Sequence, residues 1–190
     1  MAVSKRDLIL HHAAACFAAQ GLGATMNDIA EAAGVSRRTL YNHFPSRDAV
    51  LSALVERQSL DFLAHLAAVV PPAADFPGFV LECCCAIIRE SPKQPLALLH
   101  LGNEAGRAAT ALHFGSPRLI EAWLGFFGPP YVEALRRGEI DAAITLPELL
   151  AWVGRIVTSF LQVQLPGEDE AGIRAQIERF FIRSLRPAGA

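Results

Sequence analysis

Residues 25–44, TMNDIAEAAGVSRRTLYNHF, decide the fold. Thr25 can cap a helix by accepting from the backbone N–H three residues on, and Asp28 at that position can reach back to the Thr25 N–H, the reciprocal arrangement of a capping box. The helix so started is short, from Met26 to about Ala33. Gly34 supplies the backbone freedom of a tight turn, and Ser36 caps a third helix from Arg37 to Phe44. Pro45-Ser46 ends that helix. Ser46 then caps a fourth, with Asp48 in its first turn, where the helix dipole favours a negative charge.

The third helix divides cleanly by direction. At about 100° per residue with Leu40 as zero, Phe44 falls at about 40°, Tyr41 at about 100°, Arg38 at about 160°, Asn42 at about 200° and Thr39 at about 260°. Leu40 and Phe44 therefore point together, toward Val35, Ile29 and Ala30, and the polar residues lie opposite. A small side chain at Ala30 lets two helices cross closely. These features describe a helix-turn-helix, whose second helix enters the major groove of double-stranded DNA with its N-terminal residues at the base edges. Arginine suits the paired acceptors of guanine and asparagine suits adenine, which makes Asn42 and an arginine at the helix start candidates for bases, Arg38 being equally open to a phosphate or to solvent. Thr39, Tyr41 and His43 are placed for phosphates.

Working outward, residues 4–20 read as a first helix with Ile9, Ala13, Cys16 and Phe17 on one face, stopped by Gly21-Leu22-Gly23. The fourth helix runs to Pro71-Pro72, long enough to leave one domain and enter another. FVLECCCAIIRE reads as a fifth helix and residues 94–104 as a sixth. A seventh begins near Ser116-Pro117 and is expected to break at Gly128-Pro129-Pro130, where neither proline can donate a backbone hydrogen bond. The last two are expected over 147–165 and 168–185, joined at Pro166-Gly167. No stretch alternates as a half-buried strand would. The fold class is all-α with about nine helices: a helix-turn-helix domain over residues 1–48, a connecting helix over about 46–70, and a larger helical domain over 49–190.

Composition agrees with a folded chain and excludes disorder. Of 190 residues, 52% are hydrophobic and 19% charged, too apolar for disorder and sparing in charges to cover a surface. The net charge is -2, split as +1 over residues 1–60 and -3 beyond; this weak asymmetry would not by itself suggest nucleic acid. MAVSKRDLILHHAAA lacks the apolar run of a secretory signal, and no window reads as a membrane span. Four cysteines without disulfide spacing fit a reducing cytoplasm.

The order DIA, AAGVS, TLY, HF and S-R-D, within AAACFAAQGLGATMNDIAEAAGVS and TLYNHFPSRDAVLSAL, resembles the TetR family of bacterial transcriptional regulators. The resemblance covers nearly the whole N-terminal third. It implies phosphate contacts from Thr25, Thr39, Tyr41, His43 and Arg47, the last standing where the family usually has lysine, and base contacts mainly from Arg37, Arg38 and Asn42. Arg38 departs from the family, which often has glycine, alanine or proline there.

The same resemblance implies that the last two helices pair with their twins in a homodimeric four-helix bundle, for which Leu149, Val153, Ile156, Phe160, Ile173, Ile177, Phe180 and Phe181 are candidates. It also implies a pocket for a small-molecule effector between reading head and bundle, without saying what lines it. The large apolar and scattered polar residues there are Phe62, Phe79, His100, Asn103, His113, Phe114, Trp123, Phe126, Phe127, Tyr131 and Trp152; taken singly, each equally fits a core. A largely apolar inducer is the expectation, with no cofactor and no metal. Cys83-Cys84-Cys85 cannot converge on one ion, because consecutive helical residues point about 100° apart; they read as buried small hydrophobes.

An enzyme is disfavoured, since no Ser-His-Asp order, metal cluster, phosphate loop or carboxylate pair is present. An effector-independent DNA-binding protein and a thiol- or metal-responsive regulator are the alternatives. The favoured reading is a ligand-responsive repressor binding a (pseudo)palindromic operator as a homodimer.

Overall fold

The computed structural model describes residues 4–93, 111, 115–163 and 165–187, and every regular element among them is a helix. The chain divides into two compact units. One comprises Met1–Leu60 with Pro95–Leu119, the other Asp61–Gln94 with Ile120–Ala190.

In the first unit α1 spans Lys5–Gln20, with Ser4 accepting from the Asp7 N–H as its N-cap. Gly21, at φ 56°, closes α1, and a 3₁₀ turn over Gly21–Gly23 follows. Helix α2 is Met26–Ala32, α3 is Arg37–His43, and α4, Arg47–Val69, starts here with Ser46 accepting from the Ala49 N–H. The core joins Ile9, Leu10, Ala13 and Phe17 of α1 to Ile29, Ala30, Leu40, Phe44, Val50, Leu51 and Leu54. Because α2 and α3 have seven residues each, about half of what an isolated helix needs in water, this packing is what holds them. Glu56 on α4 accepts from Ser116 at 3.3 Å and from Arg118 at 2.8 Å.

The second unit is built around α5, Phe76–Glu90, started by Asp75 accepting from the Gly78 N–H. Val80, Leu81, Cys83, Cys84, Cys85, Ala86 and Ile87 are all buried, the pattern of a helix covered on most sides. Around it lie α6 (Pro117–Arg137), α7 (Leu146–Gln162) and α8 (Glu170–Phe180), then a 3₁₀ turn over Ile182–Leu185. Thr145 and Glu148 form a capping box on α7, as Thr25 and Asp28 do on α2. Ion pairs tie α5 to α8, Arg174 to Glu82 and Arg89 to Glu170 at 3.1 Å, and His65 of α4 shares a 3.5 Å hydrogen bond with Glu90.

Two expectations are corrected. Helix α6 is not broken at Gly128-Pro129-Pro130 but continues through both prolines. Proline's own φ is helical; its conflict falls on the preceding residue's Cβ and on the carbonyl four back. Here the residue before Pro129 is Gly128, which has no Cβ to meet that ring, while the Gly125 and Phe126 carbonyls, four back from the two prolines, lose their backbone donors. Aromatic packing on both sides, from Trp123, Phe126 and Phe127 before and Tyr131 after, holds the helix across the two missing donors. The last helix also ends early, at Phe180 and not near 185: Phe181 leaves helical geometry at φ -123°, and the Ser184 hydroxyl donates to its carbonyl at 2.7 Å. The expected sixth helix over 94–104 lies outside the described residues.

Candidate nucleic-acid interface

The turn between α2 and α3 is fixed by backbone hydrogen bonds. The Val35 N–H donates to the Ala30 carbonyl and the Gly34 N–H to the Glu31 carbonyl, both at 3.0 Å, with Gly34 at φ 62°. This is the Schellman closure, and its left-handed residue is the reason a glycine stands there. Ser36 then accepts from the Thr39 N–H at 3.1 Å and shares a 2.9 Å hydrogen bond with the Thr39 hydroxyl. Sequence thus sets where α3 begins.

Leu40 is 0% exposed, the only buried residue of α3, and Phe44 just past its end is also buried. With these two inside, Arg37, Arg38, Tyr41, Asn42 and His43 are exposed together, and Thr39 is half-buried beside Ser36. Tyr41 is 51% exposed. None of the seven residues of α3 is acidic, so the outward face carries only cations, hydroxyls, an amide and an imidazole. Two long arginines at the helix start can reach a base edge or a phosphate.

Two expected phosphate contacts are already engaged. The Thr25 hydroxyl and N–H both donate to Asp28 Oδ2, at 2.7 and 2.8 Å, and hold that carboxyl below its ordinary range, the backbone donor being the stronger influence. Arg47 is bonded to Leu22 and Asp48. Sequence reasoning missed Arg6 of α1, whose guanidinium lies 5.1 Å above the Phe44 ring, and Arg57 of α4, which donates to the Asp7 carbonyl at 3.3 Å. Neither leaves a local signal, since each partner lies on another helix.

In the second unit, Phe79, Trp123, Phe127 and Tyr131 meet in one aromatic cluster with Phe76 and Phe126, ring centres 5.3 to 6.3 Å apart. The Tyr131 hydroxyl donates to the Ile144 carbonyl at 2.7 Å. Phe62 is buried beside His65. Trp152 stands apart on α7, 56% exposed, beneath the guanidinium of Arg155. His100, Asn103, His113 and Phe114 lie outside the described residues.

Of the residues expected between subunits, Leu149, Val153, Ile177 and Phe181 are buried in the chain's own core. Ile156, Phe160 and Ile173 are half-buried, and Phe180 is 76% exposed. Trp152, Ile156 and Phe180 border a groove of about 560 Å³ with Ala143, Ile144 and Ala151. Cys83, Cys84 and Cys85 are buried, and burial pushes all three thiols above their ordinary range. Among the described residues no group of three or more His, Cys, Asp or Glu could hold a metal ion, and no helix is long and apolar enough to cross a membrane.

Residues 9–54 match the sequence model of the bacterial regulatory proteins of the tetR family, a span that contains the whole helix-turn-helix. An uncharacterised HTH-type transcriptional regulator of Mycobacterium tuberculosis is 32% identical over 178 residues, covering 87% of this chain and 77% of that protein. Among solved structures, a Rhodococcus sp. RHA1 protein of unknown function superposes with a TM-score of 0.68 at 21% identity, covering 98% of this chain and 97% of that one. FadR of Bacillus subtilis, solved in complex with stearoyl-CoA, gives 0.63 at 14% identity, over 94% of this chain and 98% of its own. These two likenesses bear on the fold. Matched along its reading head by the family's sequence pattern and along most of its length by an HTH-type regulator, the chain is a DNA-binding protein of the TetR family of bacterial transcriptional regulators.

Proposed function

We propose that the protein is a ligand-responsive repressor that binds a palindromic operator as a homodimer. The observation that carries this reading is the outward face of α3: five exposed side chains able to contact DNA on a helix pinned from behind by Leu40. In this reading Arg37, Arg38 and Asn42 address base edges, while Thr39, Tyr41 and His43 address phosphates and set the register. Thr25 joins the phosphate set if its hydroxyl turns from Asp28.

In this reading the mode is repression. Among the described residues the caps, turn and buried core of the head come from residues 4–57, which supports a head assembled without an effector and weakened by one. That requires the effector to bind the DNA-incompetent state more tightly, since equal affinity shifts no equilibrium. The aromatic cluster of α5 and α6 supports an effector with a large apolar part, and the stearoyl chain of the stearoyl-CoA held by the similar Bacillus subtilis protein is a chemistry of that kind. Trp152, Ile156 and Phe180, apolar and outward on α7 and α8, supply the surface for a second subunit. Such exposed large groups are what an interface covers.

Selection of binding sites from random duplexes tests the reading. The wild type should return an inverted repeat, and Arg38→Ala should relax one base pair per half-site at a cost of roughly 1 to 3 kcal/mol. An unchanged consensus would remove Arg38 from base reading; no enriched sequence would remove the operator itself.

A further inference from the structure

Arg47 opens α4, one residue after the Ser46 cap, and its guanidinium is spent inside the reading head. Nη1 donates to the Leu22 carbonyl, while Nε and Nη2 both donate to Asp48 Oδ1, at 3.3 and 3.1 Å. Leu22 sits in the 3₁₀ turn that launches α2, two residues before buried Ala24 and three before the Thr25 cap. The bond to Leu22 spans 25 residues of sequence, and the loop it closes contains α2, the turn and α3. Arg47 is 37% exposed at its side chain, and its neighbour Asp48, at 78%, offsets its charge.

From this geometry we infer that Arg47 is a positioning residue for DNA recognition. Its fork clamps the turn before α2 to the first turn of α4, and so fixes how α3, suspended between those two helices, is presented. Two of the fork's three engaged atoms go to Asp48 and one to Leu22, in directions a planar guanidinium spans and a lysine ammonium does not. Paired with a carboxylate, the group has little net charge to give a phosphate. The clamp therefore acts on affinity through orientation, without the counterion release that a phosphate contact brings. This rests on the DNA-binding reading of α3, which the wild type's operator affinity tests separately.

The experiment compares wild type, Arg47→Lys and Arg47→Met on the selected operator over about 50 to 300 mM salt, at a temperature where melting curves show each protein folded. The clamp predicts that both variants bind about tenfold more weakly, as loss of a charged hydrogen bond would give, with the slope of log affinity against log salt unchanged. The opposite pattern overturns it: Lys binding like wild type while Met lowers the slope by about 0.9 makes Arg47 a phosphate contact. Unchanged affinity in both variants, even with lowered melting temperatures, also overturns it, because the bonds would then serve stability alone.

Discussion

Replacing Leu40 with alanine should separate the anchor of the reading helix from its reading face. Leu40 is fully buried and is the only buried residue of α3. Truncation removes about three carbons at about 0.8 kcal/mol each, or about 2.4 kcal/mol of transfer free energy. The cavity left against Ile29 and Ala30 raises the cost to about 3 to 4 kcal/mol, since closely packed neighbours collapse only in part. That is a large share of the roughly 5 to 15 kcal/mol that holds a domain. Urea unfolding followed by circular dichroism should show a midpoint lowered accordingly. Exposed Arg38→Ala should shift it by no more than about 0.5 kcal/mol. Operator affinity should fall in both variants. A Leu40→Ala loss below about 1 kcal/mol, or equal losses in the two, would mean that α3 is not held through Leu40.

Gly34→Ala should cost about 1 to 2 kcal/mol, all of it from the left-handed backbone, because a Cβ at Gly34 would meet nothing within 4 Å; Gly34→Asn should cost less, and equal melting of wild type and the alanine variant would contradict the Schellman closure. The Glu90 carboxyl is pulled down to about 2 by Lys93, Arg89 and His65. A group depressed in the folded state stabilises above its unfolded value, near 4.5, and that support is lost as pH falls toward 2. NMR titration should show Glu90 midpoints well below an ordinary glutamate and a rise in Lys93→Ala; an ordinary midpoint in the wild type would refute the pairing. Cys83, Cys84 and Cys85 should resist a chromogenic disulfide reagent in native protein at pH 8 and react once urea unfolds it, and rapid native labelling would contradict their burial.

How much was legible in sequence tracks how local the determinant is. The caps at Thr25, Ser36 and Ser46 and the turn at Gly34 bind partners within a few residues, so spacing revealed them. The bond from Arg47 to Leu22 left no trace in the sequence, because its acceptor is a backbone carbonyl far along the chain. The rule that prolines break helices failed here because Gly128 offers no Cβ to the Pro129 ring and because Phe127 and Tyr131, on either side of the pair, pack on rings of α5 that lie far away in sequence. On α7 and α8 the apolar candidates for a subunit interface were visible, yet sequence does not say how many of them the chain uses for itself. Leu149 and Ile177 are consumed by its core, while Trp152 and Phe180 are left outside. The end of α8 was misjudged for a related reason: the Leu185 carbonyl accepts from the Asp141 N–H, a pairing no local pattern announces.

Hydroxyl-radical and base-methylation footprints of the wild type on its selected operator test the central claim most directly. The account predicts two protected half-sites, about one helical turn or a small multiple of it apart, with guanine N7 shielded in the major groove and one such guanine exposed again in Arg38→Ala. Protection confined to the minor groove, or a footprint identical after Arg37, Arg38 and Asn42 are all replaced by alanine, would contradict it.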